Sequence, residues 1–306
     1  MYNPFLQNFS AFFKSRSALS ILILVNFAVF ILLTLIKLVA YLYQSPFIVE
    51  LCGLKVFGVT YWLSVPADYL HLAERPWTII TYMFLHEDFF HIFFNMFTLY
   101  FAGILFTQFL NSKKLISTYF IGGIFGAIFF ILAFNFFPVF VPNANCAFAL
   151  GASASVLAIL VAIATYIPNY TIQFMFVGKL KFKYIAIFLV LIDLLSIEKS
   201  NPGGHLAHLG GAFWGYTYIT LLKNKIDMYK WFNIILVFIT SIFKPKSKLK
   251  VKYTTNKRAQ SDDEYNKQRA EKQKKIDIIL DKISKSGYES LSKEEKELLF
   301  KMSDKK

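Results

Sequence analysis

Charge is what this sequence has least of. Only 17% of its 306 residues are Asp, Glu, Lys or Arg, against roughly a quarter in soluble domains. More than half of those charges lie beyond residue 243. The stretch before that is too apolar to face water, which excludes a soluble enzyme or carrier. Cysteine is nearly missing too, with Cys52 and Cys146 as the two present. Two cysteines build no disulfide framework, and nothing in the sequence fixes their separation, so the sequence leaves open whether they pair. Acidic residues are outnumbered, 19 against 33 basic, for a net charge of +14. Basic loops beside membrane spans account for that excess, so no nucleic-acid partner is expected.

What is present is hydrophobic: 56% of the residues, 35 of them Phe, with a mean hydropathy of +0.48. The class is therefore an all-α, polytopic membrane protein. Six apolar stretches read as spans: 19–42, 88–110, 115–137, 149–167, 183–198 and 205–222. Lys14 and Arg16, Lys113 and Lys114, Lys179 to Lys183, and Lys223 to Lys230 fall in alternate connections. The positive-inside rule makes that side cytoplasmic and puts both termini there. Residues 43–87, 138–148 and 199–204 then face outward.

The chain divides into a cytoplasmic N-terminus (1–18), a six-helix membrane domain (19–223) and an interfacial or re-entrant apolar segment (224–243). A basic flexible linker (244–275) and a small helical C-terminal module (276–306) follow. In the module, Ile276, Ile278, Ile279 and Ile283, then Leu291, Leu298 and Leu299, have helical spacing. Gly287 punctuates them, and Ser292 with Glu295 makes a capping box. A segment this small can hardly bury a core alone, so a partner for the module is expected.

Polar residues inside the spans converge at one depth. Span four begins "GASAS", with Ser153 and Ser155. Span two carries "HEDFFHIFFN", with His86, His91 and Asn95. Span six opens "PGGHLAH", with His205 and His208. All three enter from the outer side. Polar side chains within spans are costly and mark functional sites. Packing is the bland reading for each. It is preferred for Ser155, and for the small-xxx-small pairs Gly122/Gly126 and Gly211/Gly215. Gly211 nonetheless lies one turn after His208. Close packing of span six on span four would carry His208 to Ser153, within the roughly 2.6–3.2 Å that nucleophile and base require.

A serine hydroxyl, an imidazole base and donors for an oxyanion make acyl transfer. Here those are Ser153, His208, and Asn95 with His91. Ser153 and Ser155 lie about 200° apart around a helix, so only one can face His208. A four-histidine zinc site is the chemical rival, but His86 and His91 are five residues apart, and a zinc-binding HExxH needs four. No metal or cofactor is expected. Asp193, alone near the outer end of span five, reads as a structural or water-facing group, too little for an ion path.

"RPWTIITYMFLH" with "HIFFNMF", then "GASA", then "AHLGGAFWG" together resemble the bacterial rhomboid intramembrane serine proteases. The match runs over residues 75 to 215 and selects Ser153 and His208. The resemblance implies a Ser–His dyad with no carboxylate orienter and a six-helix fold around a water-filled cavity. It also implies cleavage of transmembrane proteins near the outer side of the bilayer, in a bacterial inner membrane. One departure is Ala154, where the family has glycine. The alternative is a catalytically silent rhomboid-like binding or quality-control protein.

Overall fold

The structure is a computed structural model that describes residues 12, 14–44, 47–174, 178–230, 232–234 and 262–303. Most of 229–243, and the linker up to 261, lie outside the described residues. The chain forms two units, 1–243 and 244–306.

In the first unit, six long helices carry the bundle: α1 (Ala18–Leu42), α5 (Phe89–Phe109), α6 (Ser112–Phe136), α7 (Ser153–Tyr166), α8 (Phe182–Ser196) and α9 (Pro202–Lys223). The short helices α2 (Gly58–Leu63), α3 (Tyr69–Glu74) and α4 (Thr78–Thr81) lie between α1 and α5. Of the described helices, α1, α5 and α6 are long and apolar enough to cross a membrane; α7 is apolar but has 14 residues. At 1.5 Å per residue, α7 is about 21 Å long, short of a roughly 30 Å hydrocarbon core.

Burial explains the arrangement. Every residue of α7 from Ala154 to Ala164 is buried, so this helix is the axis of the bundle. Helices α9, α6 and α5 pack around it, and α1 packs on α5 and α6. The outward surface is apolar: Phe89, Phe93, Phe97 and Phe101 form an exposed stripe along α5, their rings successively in contact. Such a stripe is tolerable in lipid and not in water.

Two glycine contacts set the axial packing. A Cβ on Gly211 would lie 2.1 Å from the Ala154 carbonyl oxygen, and one on Gly215 would lie 2.3 Å from that of Ala158. Helix α9 thus touches the α7 backbone directly, as small-xxx-small seams allow.

Loop residues on the side predicted to face outward are tied together. Strands β1 (Ile48–Leu51) and β2 (Leu54–Phe57) form an antiparallel hairpin. Its turn residues Cys52 and Gly53 both have positive φ, 50° and 81°, as a type I′ turn requires. Strand β3 (Val65–Pro66) pairs antiparallel with β4 (Phe148–Ala149). Cys52 and Cys146, whose pairing the sequence leaves open, form a disulfide across 94 residues. Folding of the two loops onto one face, which sequence spacing does not encode, brings them together. On the opposite side, β5 (Thr171–Phe174) pairs with β6 (Gly178–Lys181), and Lys114 bonds Asp227 at 2.9 Å.

The second unit differs from its expectation in extent. Helix α10 (Asp262–Ser286) begins well inside the stretch read as linker, and α11 (Lys293–Ser303) follows Gly287. Basic and polar residues hid the helix because they lack apolar periodicity; Lys, Glu and Gln are nonetheless good helix formers. The capping pair forms: the Ser292 N–H donates to Glu295 Oε2 (2.7 Å) and the Glu295 N–H to Ser292 Oγ (3.3 Å). Lys282 on α10 grips both Glu295 oxygens, at 3.0 and 2.9 Å; the Ser292 N–H, and then Lys282, hold that carboxyl below its usual range.

Candidate active site

The site begins where β4 ends. Gly151 has φ +132°, a conformation glycine adopts without strain. Its N–H donates to the Tyr82 carbonyl at 2.9 Å. A Cβ there would come 3.1 Å from His91 Nε2 and 3.4 Å from Ser153 Oγ. That turn stops the extended chain and starts α7 at Ser153 itself, four residues later than the predicted span. The serine therefore stands at a helix N-terminus.

Side chains of Ser17, Asp88, Asn111 and Asn201 cap α1, α5, α6 and α9, whereas α7 and α8 have no side-chain cap. Ala152 precedes α7, and its methyl offers no acceptor. Among the described residues no side chain caps the first N–H groups of α7, and the helix dipole favours negative charge there. Ser153 opens onto a cavity of about 70 Å³ lined also by His91, Gly151, Tyr82, Glu87, Gly204 and Ala207.

Ser155 points elsewhere. It is fully buried, and its Oγ, without a hydrogen-bond partner among the described residues, lies against Gly123 of α6. This is the packing role expected of it. The Ala154 methyl is housed by Gly126, where a Cβ would approach it to 2.6 Å. A missing side chain on α6 thus accommodates the departure at Ala154.

Asn95 is buried, and its amide donates to the His91 carbonyl one turn back, at 2.8 Å. Its second N–H remains for another acceptor. The His91 backbone N–H is taken by Asp88 at 2.9 Å, and its ring meets His86 edge-on, centroids 5.1 Å apart. His86 is buried and, among the described residues, neither ring nitrogen has a hydrogen-bond partner. Burial, then the neighbouring His91, pushes its pKa down to about 3.

His208 lies one turn before Gly211 on α9. No hydrogen bond from Ser153 Oγ to its ring is made among the described residues, and the lining of the Ser153 cavity includes the neighbouring Ala207 but not His208. The ring is held at Nδ1. Asp193 Oδ1 of α8 accepts from His208 Nδ1 at 2.7 Å and from His205 Nδ1 at 2.8 Å. The resemblance implied no carboxylate on this histidine, and the sequence reading made Asp193 a structural or water-facing group. The available signal was that Asp193 is the lone acid of the six long helices; the helix rotation that aims it at α9 is not visible in sequence. The four histidines do not gather as a zinc set. Among the described residues, one group of three possible metal ligands lies close together: Asp193, His205 and His208.

An apolar helical bundle with a serine at an uncapped inner helix end, and histidines delivered by two other helices, defines a polytopic membrane protein with a polar site within its apolar helices. The comparisons give this class a family. The Rhomboid domain matches residues 73–225, and the chain belongs to the rhomboid family. It is 31% identical over 149 residues to RHOMBOID-like protein 12, mitochondrial, of Arabidopsis thaliana, over 46% of this chain and 44% of that one. Residues 260–305 match a second family model, a family of unknown function (DUF6576).

Proposed function

We propose that this rhomboid-family protein is a serine endopeptidase that cleaves transmembrane proteins near the outer side of the bilayer. Ser153 is the nucleophile and His208 the base. Asn95, His91 and the free N–H groups of α7 stabilise the oxyanion. The observation that carries this reading is the uncapped N-terminus of α7, with Ser153 at its first position beside the His91 ring. A packing serine has no need of unsatisfied donors around it, whereas an acyl-transfer site does.

The chemistry runs in two halves. His208 takes the Ser153 hydroxyl proton as Oγ bonds to the substrate carbonyl carbon. The negative charge on the carbonyl oxygen faces the donors. His208 then gives its proton to the leaving amine as the C–N bond breaks, and water repeats the cycle on the acyl-enzyme.

We further propose a bacterial inner membrane with both termini cytoplasmic. Support comes from the Lys-rich alternate connections and from the disulfide on the opposite face, which persists best on an oxidising side. Labelling of detergent-solubilised protein with a serine-reactive fluorophosphonate tests the function. Wild type should react and Ser153→Ala should not. Equal labelling of the two would remove the assignment and favour the catalytically silent alternative.

A further inference from the structure

We infer that Asp193 is the positioning residue of this site, fixing the His208 ring in the tautomer that can act as a base. The inference rests on the reading of Ser153 and His208 given above and departs from a two-residue mechanism.

Asp193 is 7% exposed on an apolar helix. A carboxylate in that setting is costly unless hydrogen-bonded. Its Oδ1 is met by two imidazoles, His208 Nδ1 at 2.7 Å and His205 Nδ1 at 2.8 Å. An ionised carboxylate can only accept. Each Nδ1 must therefore carry the hydrogen, and the Nε2 lone pair of His208 is left free. Nε2 is the atom that must receive the serine proton. The carboxylate also sits behind the positive charge that forms when it does. Asp193 stays ionised throughout, the Nδ1 hydrogen stays in place, and the ring is kept from rotating. His205 holds the same oxygen from α9 and steadies it. The charged and titratable groups around His208 are thus Asp193 on α8, His205 on its own helix and His91 on α5.

A metal is the competing occupant of Asp193, His205 and His208. Both nitrogens close on one oxygen at hydrogen-bond length, a geometry that protons fill and an ion would have to spread apart.

The test uses the full-length protein in detergent, with a single-span substrate and the fluorophosphonate. Asp193→Asn should lower kcat roughly 100–10,000-fold and slow labelling, with KM within about threefold of wild type, because the amide allows the wrong tautomer. Asp193→Glu should recover part of the loss. Wild type labelled at Ser153, with Asp193→Asn labelled and turning over equally fast, would overturn this inference alone. An unlabelled, inactive wild type would overturn the proposed function, and this inference with it. Loss of wild-type cleavage on chelation, restored by zinc, would make the trio a metal site instead. Because Asp193→Asn could misfold, the wild-type tautomer is read separately by NMR of 15N-histidine protein. Protonation of His208 at Nδ1 is expected, and protonation at Nε2 overturns the inference.

Discussion

The two histidine pairs look alike in sequence and differ in what holds them. His205 and His208 share one buried carboxylate and point their Nδ1 atoms at it. His86 and His91 lean edge to face with no carboxylate bonded to both rings, and among the described residues the His86 ring nitrogens have no hydrogen-bond partner. One pair is tied to an acid through both rings and the other is not. Under the proposed function, the base belongs with the first pair and an oxyanion donor with the second.

The largest expected effect separates the pairs directly. His208→Ala and Ser153→Ala should each cut turnover of a single-span substrate by roughly 1,000-fold or more, as members of one catalytic unit do. Full activity in either variant would erase the distinction. Asn95→Ala should slow turnover roughly 10–1,000-fold, the cost of a lost oxyanion donor; an unchanged rate takes Asn95 out of that role.

The second pair is sharpened by pH. The folded pKa of His86, about 3, lies below the unfolded value near 6.5. The unfolded chain therefore binds the proton first. The stability held by neutral His86 is full above about pH 6.5 and drains as pH falls toward 3. Thermal unfolding of wild type between pH 7 and 4 should show that slope, and His86→Gln should flatten it. Parallel slopes would mean that His86 is not the buried neutral group.

Reducing the Cys52–Cys146 disulfide should lower the unfolding temperature by a few degrees in detergent, since a crosslink chiefly constrains the unfolded chain. An unchanged temperature would show that the hairpin and the β4 loop are held by other contacts. The smallest effect is assigned to Ser155→Ala, which removes a buried hydroxyl that has no partner. Activity should stay within about twofold, and a large loss would move the nucleophile.

Much of this molecule was legible along the chain. Long apolar runs and the cap signature at Ser292 follow from local rules, because span length and capping depend on residues close in sequence. Choosing Ser153 over Ser155 needed helical geometry and the motif. The structure then separates them, one lining the cavity and the other pressed on Gly123. The extent of α10 was missed because a polar helix carries no apolar stripe.

Sequence by itself determined an α-helical membrane protein of the rhomboid family with hydroxyl, imidazole and amide groups in its apolar helices. Only the tertiary structure decided that Cys52 meets Cys146, that α7 begins uncapped at its serine, and that Asp193 grips His208. Composition and period act within one segment, whereas helix rotation and loop closure are set by packing between segments far apart in the chain. The glycine contacts of α9 on α7, at backbone distance, are where that packing is fixed.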